Sequence, residues 1–141
     1  ITSAIPLAVT VACLVWLGAT GNLFSASPFV IAAQLAAVAL NVWARRSFAK
    51  GAFRVSAAPV GSSVMSRGPY RIVRHPMYSS VLLFMWAGIA SHASAVTVCV
   101  GMVLSVLVAL RVVAEEKLLI RRFPDYQAYA RTTKALVPYL F

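Results

Sequence analysis

Apolar side chains fill the chain in long blocks separated by polar segments. The first block, Ala4 to Asn22, has about the 20 residues a helix needs to cross a hydrocarbon core. Gly21 and Asn22 read as helix-stop residues. Ser27-Pro28 reads as an N-cap followed by proline at the first helical position. It opens a second apolar block, residues 28–44, that ends at Arg45-Arg46. So short a connection predicts an antiparallel helical hairpin. From Pro76 the chain stays apolar to Leu110, too far for one span. Its polar interruption, Ser91-His92-Ala93-Ser94, divides it into helices over 76–90 and 94–113. The fourth helix continues past Arg111 towards Arg122, and Pro124 breaks it.

Between the second and third blocks, residues 45–75 are punctuated by Gly51, Pro59, Gly61, Gly68 and Pro69. This pattern predicts a long loop with one short helix. A loop of that length inside a domain is usually functional or disordered, and its arginines and aromatic residues favour function. An amphipathic piece from Asp125 to Arg131 and an apolar tail, Tyr139-Leu140-Phe141, come after the fourth helix. The expected fold is all-α, one domain over 1–141: an integral membrane bundle of four transmembrane helices with a cytoplasmic loop and a C-terminal amphipathic helix. The first block has no basic residue ahead of it, so it reads as a membrane span and not a signal peptide.

Composition supports a lipid environment. Hydrophobic residues make up 61% of the chain and charged ones 11%, well below the roughly 25% charged typical of soluble domains. Mean hydropathy is +0.84. Thirteen Lys and Arg stand against three Asp and Glu, a net charge of +10. The excess would suggest nucleic acid in a soluble protein, but its placement argues otherwise. The basic residues fall into two clusters, Arg45 to Arg74 and Arg111 to Lys134, with none in the apolar blocks. The positive-inside rule puts both clusters, and with four spans both termini, on the cytoplasmic face. No nucleic acid partner is expected; the bilayer is. Cys13 and Cys99 lie in apolar runs with no metal or redox spacing and read as small buried hydrophobes. No metal site is expected. Trp16, Trp43 and Trp86 are expected near the membrane interfaces, and His92 at the non-cytoplasmic turn.

The densest polar segment runs Arg67-Gly68-Pro69-Tyr70-Arg71-Ile72-Val73-Arg74-His75-Pro76-Met77-Tyr78. One reading is a juxtamembrane basic anchor with interfacial tyrosines. Against it, Gly68-Pro69 and His75-Pro76 constrain the backbone twice in nine residues, which an electrostatic anchor does not need. The second cluster is Arg111, Glu115 and Glu116. Arg111 and Glu115 share a helix face four residues apart, which fits an ordinary surface ion pair. Glu116 has no basic residue three or four positions away. Ionisable groups near membrane depth are functional candidates.

Gly68-Pro69-Tyr70, Arg74-His75-Pro76-Met77-Tyr78, Glu115-Glu116 and Tyr126-x-x-Tyr129 stand in the order and similar spacing of the isoprenylcysteine carboxyl methyltransferases. Over about residues 60–138 the chain resembles that family and related membrane phospholipid methyltransferases. The resemblance implies a small helical membrane bundle that holds S-adenosylmethionine at its cytosolic side, with S-adenosylhomocysteine as product. Tyr70, His75, Pro76, Met77 and Tyr78 would bind the cofactor, as would Val64 and Met65 in the apolar stretch before them. One of the paired glutamates would contact it too, Glu115 being assigned that role. Arg111 would face the acceptor, and Glu116 would serve as base for an amine. The chain departs from the family pattern at Ser80, where a smaller residue is usual, and at Pro124, where glycine is usual before the paired tyrosines.

By this resemblance the chain would be an integral membrane methyltransferase whose cofactor-site segments are about 62–80 and 111–131. Its acceptor would be lipophilic, first of all a carboxylate such as an isoprenylcysteine-like C-terminal carboxyl group. A phospholipid amine is the alternative. Rival readings are a non-enzymatic scaffold or transporter subunit and a membrane reductase. A transporter would more typically carry polar residues at mid-span, where only Gln34, Asn41 and a few hydroxyls occur.

Overall fold

The polar breaks in the sequence become turns between helices. A computed structural model describes residues 4–55 and 68–137. Among them run α1 (Ala4–Ala19), α2 (Pro28–Val55), a 3-10 turn at Gly68–Arg71, α3 (Pro76–Ser91), α4 (Ala95–Arg122) and α5 (Tyr126–Thr132), with no strand. The all-helical expectation holds for these residues.

Local chemistry sets the helix starts and stops. Pro28 and Pro76 open α2 and α3, where a missing N–H costs no intrahelical bond. Ser94 caps α4: its hydroxyl accepts from the Thr97 amide at 3.1 Å, and its own amide donates to Thr97 Oγ1 at 2.9 Å. This reciprocal pair satisfies two donors that a helix start leaves open. Phe123 ends α4 in an extended conformation, as the residue before Pro124 must.

Two expectations about the helices need correction. The segment 45–75 is not loop from its start: α2 continues through Arg45-Arg46 to Val55. Loss of hydrophobicity marks where the helix leaves an apolar environment, not where it ends. A single glycine such as Gly51 costs a helix only about 1 kcal/mol. The second correction concerns pairing. α2 lies chiefly along α3, and α1 along α4.

The α2–α3 contact is antiparallel and carries the mid-helix polar groups. Gln34 Nε2 donates to Leu23 O at 2.7 Å, and Asn41 Nδ2 donates to Ser80 Oγ at 2.7 Å. Polar side chains are thus paired inside the bundle, as a low-dielectric setting demands. An apolar cleft of about 160 Å³ lies here, lined by Leu14, Ala37, Val38, Asn41, Ser80, Val81 and Phe84. It is on the side of α3 away from Tyr78, because Ser80 lies about 200° around the helix from that residue. The main core joins Leu17, Leu23, Met85, Ile89 and Leu104. Trp86 belongs to its edge: half-buried, its indole donates to Ser105 Oγ at 3.0 Å. Cys99 is exposed and Cys13 half-buried, which corrects the reading of both as buried. An apolar run does not tell which face turns inward.

The outside of the bundle is itself apolar. Phe29, Leu35, Val96, Val106 and Leu110 are all more than half exposed. Among the described residues two helical segments, Pro28–Ser47 and Ala95–Arg122, are long and apolar enough to cross a membrane. The apolar helices Ala8–Ala19 and Pro76–Ser91 are shorter. The helices sort polarity by end. One end holds Leu23, Phe24 and His92, whose Nε2 lies 2.7 Å from Phe24 O. The other gathers the C-terminal half of α2, the start of α3, the end of α4 and α5, and with them the charged residues.

Candidate active site

At the charged end the backbone between the 3-10 turn and α3 is held on both sides. Gly68 has φ +58, a conformation that favours glycine, and a side chain there would collide with Ser47 of α2. Downstream, Ile72 to His75 runs beside the segment after α5. Val73 and Lys134 form an isolated parallel bridge. Arg74 N donates to Lys134 O at 2.7 Å, His75 N to Ala135 O at 3.0 Å, and Lys134 N to Ile72 O at 3.3 Å. Tyr129 adds a bond from its hydroxyl to Tyr70 O at 2.7 Å. Ser79 Oγ donates to Leu136 O. Ala135 and Leu136 are buried against Val108 and Val112 of α4, with Tyr78 and Leu82 alongside. The C-terminal segment is therefore a strap across the site.

Side chains from three elements converge beneath that strap. Tyr78, in the first turn of α3, donates its hydroxyl to Glu115 Oε1 at 2.6 Å and accepts from Arg111 Nε at 2.6 Å. Arg111 Nε also lies 3.1 Å from Glu115 Oε1, and its guanidinium sits 5.7 Å from the Tyr78 ring centre. His75, buried at the N-cap of α3, points between the two carboxylates. Its Nε2 is 3.3 Å from Glu116 Oε1 and its Nδ1 3.9 Å from Glu115 Oε2. Arg74 Nε donates to Glu116 Oε1 at 2.6 Å. The same guanidinium donates through Nη1 to Ala130 O at 2.8 Å and to Thr133 O.

Burial and charge tune the groups outside the apolar helices. Loss of solvent holds the His75 imidazole below its ordinary 6.5, against the pull of Glu116 and Glu115 towards protonation. His75 is therefore neutral at pH 7. Burial, with the Glu116 charge adding to it, pushes the Tyr126 hydroxyl up to about 12. Burial raises Tyr129 and Tyr70 as well. These phenols stay protonated, and Tyr129 donates its proton to Tyr70 O.

The structure brings His75, Tyr78, Arg111, Glu115 and Glu116 together. Pro76 is buried at the helix start. Met77 is half-buried beside it, its carbonyl accepting from Ser80 Oγ at 2.7 Å. Tyr70 is half-buried, with its backbone tied to Tyr129. Val64 and Met65 lie outside the described residues. The Arg111–Glu115 surface pair exists, but it is tied into Tyr78. Glu116, without a basic neighbour on its own helix, finds Arg74 across the site. Arg74 is the polar group that sequence reasoning missed as a site residue. It lay inside the quoted motif, yet nothing along one chain signals a partner 42 residues away. Among the described residues no group of His, Cys, Asp and Glu side chains is arranged to hold a metal ion.

Helices with an apolar exterior, closed at one end by paired carboxylates, an imidazole and phenols, define a membrane-type protein with a polar site at its edge. The phospholipid methyltransferase family matches residues 29–126, which takes in the convergent side chains and most of the bundle. The chain belongs to that family. It is also similar to the cobalt-zinc-cadmium resistance protein CzcN of Cupriavidus metallidurans, at 30% identity over 80 residues. That match covers 56% of this chain and 37% of the relative. No solved structure matches the chain.

Proposed function

We propose that this protein is an integral membrane methyltransferase that uses S-adenosylmethionine and acts on a lipophilic acceptor. The observation that carries the reading is the meeting of His75 and Tyr78 with Glu115 and Glu116 at one polar end of an otherwise apolar bundle. The donor set suits the cofactor. A sulfonium nucleoside needs carboxylate for its positive charge, and hydroxyl and imidazole groups for its polar rim. Glu115 remains 37% exposed while fixed by Tyr78 and Arg111, so it can hold a cation. Glu116 is more enclosed, at 20%. Tyr70, His75, Pro76, Met77 and Tyr78 form the first wall of the proposed pocket.

When bound, the cofactor supplies a methyl group on a good leaving group, ready for in-line displacement. The chain's own residues then have to align the acceptor and exclude water. Arg111 faces the acceptor. Its planar guanidinium suits a carboxylate, which is ionised at neutral pH and needs no base. The acceptor enters sideways from the bilayer. Four spans, with the charged end and both termini cytoplasmic, accord with the apolar exterior and the one-ended charge. The family match favours a second reading of the acceptor, a phospholipid amine, for which Glu116 would take the proton.

The test is mass spectrometry of membrane lipids and small acids after incubating the purified protein with isotopically labelled methyl donor. Label is expected in a lipophilic species. S-adenosylhomocysteine is expected to raise the thermal midpoint saturably, and less so in His75→Ala and Glu115→Gln variants. An unlabelled lipid pool, together with no saturable shift, would overturn the assignment.

A further inference from the structure

α5 has seven residues, far too few to be stable alone. Tyr129 O is satisfied locally by the Thr132 and Thr133 hydroxyls, but Ala130 O, among the last carbonyls that a helix leaves without a backbone partner, takes its bond from Arg74, and α5 meets α4 over a small contact. Something outside must hold it. Arg74 does so at several points: Nη1 on Ala130 O and Thr133 O, the backbone amide on Lys134 O, and a counter-charge from Glu116. A cation at a helix C-terminus is also favourable electrostatically. The Arg74 side chain is 11% exposed, so its charge is shielded from water and depends on Glu116. In turn, Glu116 Oε1 is shared between Arg74 and His75 Nε2.

We propose that Arg74 is a positioning residue: it aims the Glu116 carboxylate at His75 and locks the C-terminal strap, residues 126–137, over the same pair. Arg74 touches neither acceptor nor methyl donor. It acts through His75 and Glu116, and in this respect the inference rests on the methyltransferase reading of the site. Strap closure and the setting of the site are thereby one event. Lysine at position 74 keeps the charge but has no planar fork, so it cannot serve Glu116 and two carbonyls together.

The test compares wild type with Arg74→Lys and Glu116→Gln in detergent, using three readouts. Trypsin cleavage after Arg131 and Lys134, both exposed, reports the strap. NMR titration of His75, whose charged and phenolic neighbours are Glu115, Glu116, Arg74 and Tyr78, reports the pair. Methyl-donor KM against kcat reports the site. Arg74→Lys is expected to speed cleavage about tenfold, shift the His75 midpoint and raise KM about tenfold with little change in kcat, on the scale of one charge-assisted hydrogen bond. Glu116→Gln, which removes the counter-charge but leaves the Arg74 bonds to Ala130 O and Thr133 O, is expected to shift the His75 midpoint and to speed cleavage less than Arg74→Lys does, which keeps the test decisive if Arg74→Lys does not fold. Wild-type cleavage and an unmoved His75 titration in Arg74→Lys would overturn the proposal, as would an unmoved titration in Glu116→Gln. Should wild type bind no S-adenosylhomocysteine, the methyltransferase reading fails, while cleavage and titration still decide the role of Arg74.

Discussion

The Tyr78 hydroxyl donates to Glu115 Oε1 at 2.6 Å, joining residues 37 positions apart on two different helices. The same oxygen accepts from Arg111. One phenol therefore orients both the carboxylate proposed to meet the cofactor and the guanidinium proposed to meet the acceptor.

Tyr78→Phe keeps the ring and deletes that junction. The Arg111–Glu115 pair survives at 3.1 Å, so the fold should lose only about 1 kcal/mol, the net worth of one such bond. S-adenosylhomocysteine affinity should fall about tenfold, because Glu115 loses the donor that fixes it. Calorimetric titration checks this. Unchanged affinity would remove Tyr78 from the site.

His75 gives a pH dependence of definite sign. Burial depresses its folded-state pKa below 6.5, so the unfolded chain takes up a proton at higher pH than the folded one. The stability tied to neutral His75 is complete above pH 6.5 and is lost as pH falls from 6.5 towards the depressed value. In thermal scans between pH 7.5 and 5.5, wild type should lose more stability than His75→Gln. Parallel profiles would show that the imidazole is not shielded.

The elements were more legible than their partnerships. Pro76, the Ser94 interruption and Pro124 each act through one residue's own backbone or capping chemistry, so α3 and α4 could be placed from sequence. The end of α2 could not be placed, because Arg45 and Arg46 report a change of solvent and a helix passes through such a change. At the site, Arg111 and Glu115 are readable as an i,i+4 pair. The motif also pointed to His75 and Tyr78. The Arg74–Glu116 pair and the bridge from Val73 to Lys134 arise only from tertiary packing, and a single chain carries no periodicity that reveals them.

Gln34 tests how the bundle handles buried polarity. It is 7% exposed and donates to Leu23 O at 2.7 Å and Phe84 O at 3.4 Å. Gln34→Leu preserves bulk but strands the Leu23 carbonyl, a loss of about 1–3 kcal/mol. The thermal midpoint should drop while the Tyr78–Glu115 region keeps its ligand affinity, since Gln34 lies on α2 against Leu23 and Phe84 and touches none of the site residues. A midpoint at or above wild type would mean that water or lipid reaches that carbonyl.

Gly88 sets the spacing at the uncharged end. A β-carbon there would strike the Leu23 carbonyl, whose carbon would lie 2.8 Å away. The obstacle is backbone and not the end of a flexible side chain, so relief requires α3 to move away from the turn between α1 and α2. Gly88→Ala should therefore cost about 1–3 kcal/mol, the usual range for overpacking. Gly18 is the control: its nearest neighbour would be Leu23 Cδ2 at 3.9 Å. Gly18→Ala should be neutral or stabilising by up to about 1 kcal/mol from helix propensity. Comparing the two midpoints in the same detergent separates close helix approach from a general intolerance of glycine replacement. Equal effects at the two positions would refute the close contact at Gly88.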